Sequence, residues 1–267
     1  DIGGFTGSPG AELFTRWFQL ATFLPFFRSH AAVGVEQQEP WAYGEPYTAI
    51  MRRFLQLRYA LMPYWYTLAW ETAQQGTPLV RPMFWEYPEE AAVDSQADQF
   101  MLGPDLLVAP VLEANSQARQ VWLPPGRWYS WWRPETWYQG PRLIQVETSL
   151  DEIPLFVRGG AILPLEDAHG LRLHLYLPAA DGLLYGRCYQ DAGDGDQAGR
   201  LDIYQGDWQQ GVLRLERRAQ GDYQPPSRAL RLYCFGAQFD QALVDGVPQS
   251  CQDNRLSVDD FAQLVFQ

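Results

Sequence analysis

The sequence predicts a helical segment followed by two β-rich segments, and three observations support this. Apolar residues recur every three or four positions between Glu12 and Leu24, the pattern of one buried helix face. The stretch from Tyr47 to Gln75 has the length and composition of a largely buried helix. From Thr77 onward, short β-type runs are broken by Pro and Gly, and no helical pattern separates them. We therefore expect α/β structure first and all-β structure after it.

The first predicted helix, between Glu12 and Leu24, has a start signal upstream. Ser8 is its candidate N-cap, and Pro9 would occupy the first helical position, where a missing N–H does no harm. A short extended piece is expected to follow, at residues 25–30, and then a loop over residues 36–46.

The second predicted helix, Tyr47 to Gln75, contains a break. Pro63 should kink or split it, because proline removes a backbone donor and clashes with the preceding turn. Gly76 should end it, because glycine readily takes the left-handed conformation found just past helix ends.

The remaining chain is predicted to form antiparallel sandwiches or barrels. Its clearest strand candidates in the first β segment are Leu79–Arg81, Leu106–Ala109, Gln120–Leu123 and Ile153–Val157. A charged stretch, Glu166–Gly170, separates them from a second β-rich segment. The predicted division is thus residues 1–76, 77–166 and 167–267.

Charge and composition exclude several classes of partner and chemistry. A net charge of -12 and a pI near 4.6 disfavour nucleic acid and anionic membranes, which require clustered positive charge. A neutral ligand such as a sugar remains compatible. All 20 basic residues are arginine, so lysine nucleophiles and Schiff bases are excluded.

The cysteines Cys188, Cys234 and Cys251 are odd in number and irregularly spaced. This pattern indicates neither a disulfide framework nor a zinc site, and it favours buried thiols in a reducing compartment. No apolar run reaches the roughly 18 residues of a membrane span, and we expect no cofactor.

Several unusual strings occur in one order along the first 165 residues. They are DIGGF at 1–5, EL with RW at 12–17, PF with Arg28 and His30 at 25–30, RY with PY and Tyr66 at 58–66, QF with Gly103 at 99–103, LLVAPV at 106–111, WLP at 122–124 and RGG at 158–160. In this order they resemble the closing part of glycoside hydrolase family 31.

The resemblance implies a fold and an activity. The fold would be the last part of a (β/α)8 TIM barrel followed by two C-terminal β-sandwich domains, with the active site at the C-terminal ends of the barrel strands. The activity would be that of a retaining, α-glucosidase-like hydrolase acting on α-linked oligosaccharides, and we expect a bacterial source.

The resemblance also implies a sugar site. Residues matching Asp1, Phe5 and His30 line the family's glycone pocket, so we expect these three to bind substrate. Arg28 would orient Asp1 or a neighbouring carboxylate, or else form a purely structural ion pair. The family's nucleophile and acid/base lie upstream of DIGGF, and the W-x-D-x-N-E signature is absent here. We therefore assign no catalytic residue and expect this polypeptide alone to be inert.

Aromatic residues outside this site have two interpretations. Trp128, Trp131, Trp132 and Trp137 would suit a carbohydrate platform, but in a β-rich segment packing is favoured. Trp41 and Tyr43, in the loop after His30, are candidates for the pocket rim.

An acidic stretch, with Asp191, Asp194 and Asp196, is spaced somewhat like a calcium loop. It lacks the alternate ligands and the bidentate Glu of an EF-hand, so a solvated hairpin turn is favoured and no metal is expected.

Three functional alternatives stay open from the sequence. The same scaffold would accommodate α-xylosidase or sulfoquinovosidase specificity, and the chain would also suit a non-catalytic carbohydrate-binding or structural module. As a partner we expect a missing N-terminal barrel segment of the same enzyme, which would cover the apolar helices. Otherwise residues 1–75 should self-associate into a homo-oligomer.

Overall fold

The computed structural model describes residues 1–93, 96–193, 198–226 and 229–267. The chain divides into two compact units. The first comprises Asp1–Tyr59, Pro78–Pro124 and Pro141–Phe156. The second comprises Ala60–Thr77, Pro125–Gly140 and Val157–Gln267.

The described residues form helices in the first third of the chain and almost only strands afterwards. The helices are α1 (Ala11–Ala21), α2 (Tyr47–Ala60), α3 (Met62–Gln75), the single-turn α4 (Met83–Glu86) and a 3-10 turn at Ala91–Val93. This order confirms the predicted change from helical to β structure near residue 77.

Helix α1 begins later than the sequence signals predict. Its N-cap is Gly10, whose backbone is extended, and no side chain caps the helix. The first helical hydrogen bond runs from the N–H of Phe14 to the carbonyl of Gly10 at 3.0 Å, so Ser8 and Pro9 lie upstream of the first turn. The predicted start at Ser8 was therefore wrong. The helix also ends at Ala21 rather than Leu24.

Helices α2 and α3 confirm the predicted split of the long helical stretch. Leu61 separates them, and Pro63 stands in the first turn of α3, where its missing N–H breaks no helical hydrogen bond. Gly76 ends α3 at φ 74°, and its N–H donates to the carbonyl of Thr72 at 2.8 Å. The predicted end at Gly76 is confirmed.

The strands of the described residues follow in chain order. They are β1 (Val80–Pro82), β2 (Phe100–Leu102), β3 (Leu106–Val108), β4 (Ala118–Ser130), β5 (Trp137–Glu147), β6 (Leu155–Arg158), β7 (Ile162–Asp167), β8 (Gly170–Tyr176), β9 (Gly182–Gln190), β10 (Arg200–Gln209), β11 (Val212–Gln220), β12 (Leu230–Phe235), β13 (Gln241–Val244), β14 (Val247–Ser250), β15 (Arg255–Val258) and β16 (Gln263–Phe266).

The first sheet has the strand order β1-β2-β3-β6-β4-β5. Strands β1 to β3 are short antiparallel neighbours, and β3 is buried along its whole length. That burial on both faces explains why LLV reads as a continuous apolar run rather than an alternating one.

The second unit contains two further sheets, ordered β14-β13-β16-β11-β10-β9 and β15-β12-β8-β7. Neighbouring strands in both sheets run antiparallel, except that β8 and β12 run parallel. Apolar residues of both sheets form one core, including Leu173, Leu175, Leu213, Leu215 and Phe266. Two sheets that bury their facing sides together make a β-sandwich, as predicted.

Two general features complete the fold. Within the described ranges, no helix combines the length and apolar character needed to cross a lipid bilayer. The three cysteines are free thiols, and those of Cys188 and Cys234 are buried.

Candidate substrate-binding site

Two segments of the first unit bring the predicted site residues together. The N–H of Ile2 donates to the carbonyl of Arg28 at 2.8 Å, and the N–H of Ala32 donates to the carbonyl of Phe5 at 2.8 Å. These two backbone hydrogen bonds hold the segment 1–5 beside the segment 28–32. Every predicted site residue lies on one of the two.

The glycines of DIGGF shape the first segment. Gly3 and Gly4 have φ of 88° and 97°, values at which residues with a Cβ are strained. The N–H of Gly4 donates to the carbonyl of Asp1 at 2.9 Å, which closes a tight turn. A Cβ on Gly3 would also lie 2.6 Å from Cδ2 of Phe14, so both backbone conformation and space require glycine there.

Asp1 and Arg28 form an ion pair at this site. Nη2 of Arg28 donates to Oδ1 of Asp1 at 2.8 Å, the length of a charge-assisted hydrogen bond. The guanidinium also lies 5.0 Å from the ring centre of Phe26. The pair is solvent-exposed, with 29% of the Asp1 side chain and 47% of the Arg28 side chain accessible. The Asp1 side chain is thus accessible to a ligand.

Phe5 and His30 form the other half of the site. Their ring centroids lie 5.6 Å apart with an interplanar angle of 33°, and both side chains are exposed. An imidazole can donate or accept a hydrogen bond, and an exposed phenyl face packs against C–H groups. Together with the Asp1 carboxylate, these groups suit a neutral polyhydroxylated ligand.

The two candidates for the pocket rim differ. Trp41 is largely exposed. Tyr43 instead packs on Phe14 at 4.8 Å between ring centroids, and its hydroxyl donates to the carbonyl of Pro9 at 3.3 Å. Burial, together with the charge of Glu36, raises the pKa of Tyr43. Tyr43 is therefore a packing residue, and its predicted place at the rim was wrong because the loop turns its ring toward α1.

The tryptophan cluster packs as predicted. Trp128 is fully buried, and Trp131 and Trp132 are partly buried. Trp137 is 47% exposed, and the guanidinium of Arg127 lies 4.3 Å from its ring centre. The four side chains therefore do not form one exposed platform.

The acidic stretch after β9 binds to α3. Asp191 accepts hydrogen bonds from the hydroxyl of Tyr66 at 2.6 Å and from the N–H of Gly193 at 2.9 Å. The bond from Tyr66, in particular, lowers the pKa of Asp191. Asp194 and Asp196 lie outside the described residues. In the part of the chain that the structure describes, no group of three or more His, Cys, Asp or Glu is arranged to hold a metal ion.

Two further residues belong to this region: Phe26, which lies in the PF string, and Gln38, which carried no sequence signal. Phe26 supports the Arg28 guanidinium. Gln38 is buried against the DIGGF turn, whereas its neighbour Gln37 is exposed. Nothing in the string EQQEP distinguishes the two glutamines, because loop residues have no fixed period.

Comparisons with known proteins identify the family. Residues 1–68 match the glycosyl hydrolases family 31 TIM-barrel domain, and residues 76–163 match the glycosyl hydrolase family 31 C-terminal domain. The chain belongs to glycoside hydrolase family 31. Residues 1–68 include the whole candidate site. Residues 76–163 include strands β1 to β6.

Similar proteins of the family have related activities. Alpha-glucosidase 2 of Bacillus thermoamyloliquefaciens is 36% identical over 167 residues, which are 62% of this chain and 21% of that protein. A dextranase of Flavobacterium johnsoniae, solved with isomaltotriose, matches all of this chain and 39% of its own at a TM-score of 0.92 and 25% identity. An α-xylosidase of Xanthomonas citri matches 96% of this chain and 29% of its own at a TM-score of 0.75 and 28% identity.

The family includes eukaryotic members, a human neutral α-glucosidase among them. The chain spans about a fifth of the length of the curated relatives it matches. Its three sheets and leading helices are the end of the family's TIM barrel followed by C-terminal β-sandwich domains, so the predicted fold class is confirmed.

Proposed function

We propose that this chain is part of a retaining α-glycosidase that hydrolyses α-linked glucosides and oligosaccharides. The observation that carries the proposal is the juxtaposition of the Asp1–Arg28 ion pair with the Phe5–His30 pair, inside the range that matches the family's barrel domain. The similarity to an α-glucosidase and a dextranase supports the same class of substrate.

In this proposal the sugar in the subsite before the cleaved bond contacts Asp1, Phe5 and His30. The Asp1 carboxylate and the His30 imidazole bind hydroxyls, and Phe5 packs against ring C–H groups. Arg28 orients the carboxylate of Asp1 through their 2.8 Å hydrogen bond. Arg28 acts through Asp1 and does not contact the sugar.

The reaction needs two further carboxylates. Retaining glycosidases place a nucleophile and a general acid/base about 5 to 5.5 Å apart. Asp1 is committed to Arg28, and this sequence lacks the W-x-D-x-N-E signature. We propose that an upstream barrel segment of the same enzyme supplies both groups, and that the 267-residue chain alone does not hydrolyse glycosides.

Exposed apolar side chains on α1 and α2 also support an upstream barrel segment as the partner of this chain. Leu13 and Trp17 lie one turn apart on α1 and are 56% and 38% exposed, and Leu55 and Tyr59 repeat this spacing on α2. Burying one such side chain stabilises a protein by about 1.5 to 3 kcal/mol, so a covering segment gains several times that amount.

Light scattering on the isolated chain tests this covering. We expect self-association through residues 1–75, or binding of a dye that reports apolar surface, because the apolar side chains on α1 and α2 are exposed. Leu13→Gln and Trp17→Gln together should weaken the association, whereas Leu183→Gln, at an exposed residue of β9, should not. A stable monomer that binds no dye would contradict the idea.

The fine specificity has a second candidate. The match to an α-xylosidase favours xylosidase specificity on the same scaffold. From the sequence alone, sulfoquinovosidase specificity and a non-catalytic carbohydrate-binding or structural module stay open as well. Aryl α-xylosides, offered to the longer enzyme beside aryl α-glucosides, decide between the first two specificities.

The domain division and the source are also proposals. We propose domains at residues 1–76, 77–166 and 167–267. The matched ranges 1–68 and 76–163 support the first two, and β7 (Ile162–Asp167) pairs with β8 across the second boundary. A bacterial source is supported by the bacterial relatives.

The decisive experiment is His30→Ala in the longer enzyme that contains this chain. Loss of a hydrogen bond that strengthens in the transition state should lower kcat/KM on aryl α-glucosides by about 10²-fold, or about 3 kcal/mol. His169→Ala, which removes an exposed histidine of the second unit, is the matched control and should have no effect. Normal kinetics in His30→Ala would refute the site.

A further inference from the structure

Gln38 contacts both segments of the sugar site. Its backbone carbonyl oxygen accepts a hydrogen bond from the hydroxyl of Ser29 at 2.9 Å, and Ser29 lies between Arg28 and His30. Its side chain lies against Gly3, where a Cβ would be only 2.8 Å from Oε1 of Gln38. Gln38 is thus the residue at which the Asp1–Phe5 turn and the Arg28–His30 segment meet.

The amide of Gln38 is buried and unpaired. The residue is 6% exposed, and neither Oε1 nor Nε2 has a hydrogen-bond partner among the described residues. A buried polar group without a partner costs about 1 to 3 kcal/mol, so an apolar side chain of equal size would serve packing better. The donor hydrogens and the acceptor oxygen of the Gln38 amide are therefore available to a partner that the described residues do not supply.

The chemistry of the amide limits the ligand. A glutamine amide is uncharged and offers two donor hydrogens beside an acceptor oxygen, the arrangement that pairs with hydroxyl groups. The amide lies against Gly3 of the Asp1–Phe5 turn. Asp1 and Phe5, at the two ends of that turn, suit a neutral polyhydroxylated ligand. The donors and the acceptor of the amide together match a hydroxyl group, which is itself both donor and acceptor.

We propose that the Gln38 amide is a hydrogen-bonding element of the sugar site, paired when an α-glucoside is bound. It bonds a sugar hydroxyl directly, or through one water that the sugar retains. This inference rests on the proposed function, because it takes Asp1, Phe5 and His30 as the site. Gln38 thereby adds a fourth binding residue, supplied by the loop that follows His30.

Gln38→Met in the full-length enzyme tests the inference. Methionine preserves the length and packing of the side chain but removes both hydrogen-bonding atoms. We expect kcat/KM on aryl α-glucosides and affinity for glucose to fall about tenfold, while the thermal midpoint is unchanged or higher. Gln37→Met, at the exposed neighbour, is the matched control and should change none of these three quantities.

The two possible failures are separable. Unchanged kinetics and glucose affinity in Gln38→Met would overturn the inference. So would a thermal midpoint lowered by several degrees, because it would assign the amide to a contact within the polypeptide. His30→Ala is measured in parallel: if it is impaired while Gln38→Met is normal, only the role of Gln38 is refuted. If both variants are normal, the proposed sugar site itself is refuted.

Discussion

The Asp1–Arg28 pair of the first unit and the Asp202 cluster of the second use the same chemistry in opposite surroundings. Asp1 is 29% exposed and has one arginine partner. Asp202 is 1% exposed, and its Oδ1 accepts from Arg200 at 3.0 Å and from Arg217 at 3.1 Å. An exposed pair keeps oxygen lone pairs available to a ligand. A carboxylate that is 1% exposed and shared by two guanidiniums is out of a ligand's reach and serves the fold.

The contrast between these two carboxylates teaches how to separate binding residues from structural ones. Counting ion pairs does not do so, because both regions have them. Exposure of the carboxylate does, since a ligand needs access to an acceptor oxygen. Removing one group at a time and measuring the free energy of unfolding tests this distinction.

The largest effect is expected at the buried cluster. Asp202→Ala leaves the mostly buried Arg200 without its carboxylate and Arg217 with only the exposed Asp260, so the free energy of unfolding should fall by about 3 to 5 kcal/mol. Asp260 also bonds Arg217 but is 74% exposed, and Asp260→Ala should cost under about 1 kcal/mol. Urea unfolding of the 267-residue chain gives both values. Equal losses of stability in the two variants would show that burial of the carboxylate does not decide its contribution.

A smaller effect is expected at the turn that carries Asp1. Gly3→Ala adds a Cβ into the ring of Phe14 at a positive φ, and should destabilise the chain by about 2 to 3 kcal/mol. Gly7 has a similar φ of 85° but open space around its α-carbon. Gly7→Ala should therefore cost only the backbone strain, about 1 kcal/mol. If urea unfolding finds the two variants alike, steric contact with Phe14 does not shape the turn.

The smallest effect is the change of the free energy of unfolding with pH, and it is expected at His174, which is partly buried whereas His30 is exposed. His174 packs among Trp131, Tyr176, Tyr233 and Phe235, and its Nδ1 lies 3.4 Å from the hydroxyl of Tyr176. Burial, and then the charge of Arg172, lowers the pKa of His174 to about 3. The other charged groups near this sheet face are Arg231, paired with Asp167, and Arg255, which lies over Tyr233.

The lowered pKa of His174 decides the direction of the pH effect. Near pH 7 both folded and unfolded chains hold a neutral imidazole, but below about pH 6.5 only the unfolded chain takes up the proton. The stability is therefore present above the unfolded pKa and is lost as pH falls toward 3. Between about pH 7.5 and 5.5 the loss should be about 1.4 kcal/mol. His174→Phe should remove this pH dependence, and the exposed His169→Gln should retain it. A slope that persists in His174→Phe belongs to other groups.

The sequence predicted those features that local chemistry decides. Pro63 and Gly76 act on their own backbone, so the split and the end of the helical stretch followed from residue type alone. The site residues came from strings whose order resembles one family. Their roles as sugar ligands stay predictions, because the structure shows their contacts with each other and not with substrate.

Features that depend on distant contacts escaped prediction. Tyr43 was expected at the rim, but its position depends on Phe14, far earlier in the chain. Asp202 carries no signal in the sequence, because only the pairing of β10 with β11 places Arg217 within hydrogen-bond distance of it. Ser8 and Pro9 gave a plausible helix start, and only the competing extended conformation of Gly10 decided against it.

The contacts of α3 have a consequence for exchanging segments between family members. The matched barrel domain ends at residue 68, in the middle of α3. Yet Tyr66 bonds Asp191, Glu71 pairs with Arg187 at 2.7 Å, and Trp70 stacks on Tyr189. All three partners lie at the end of β9 or directly after it. A chimaera joined at residue 68 would combine one parent's Tyr66 with the other's Trp70 and Glu71. Helix α3 and strand β9 should therefore be exchanged together. A junction at the Gly76 turn preserves their contacts only if β9 and Asp191 come from the same parent as α3.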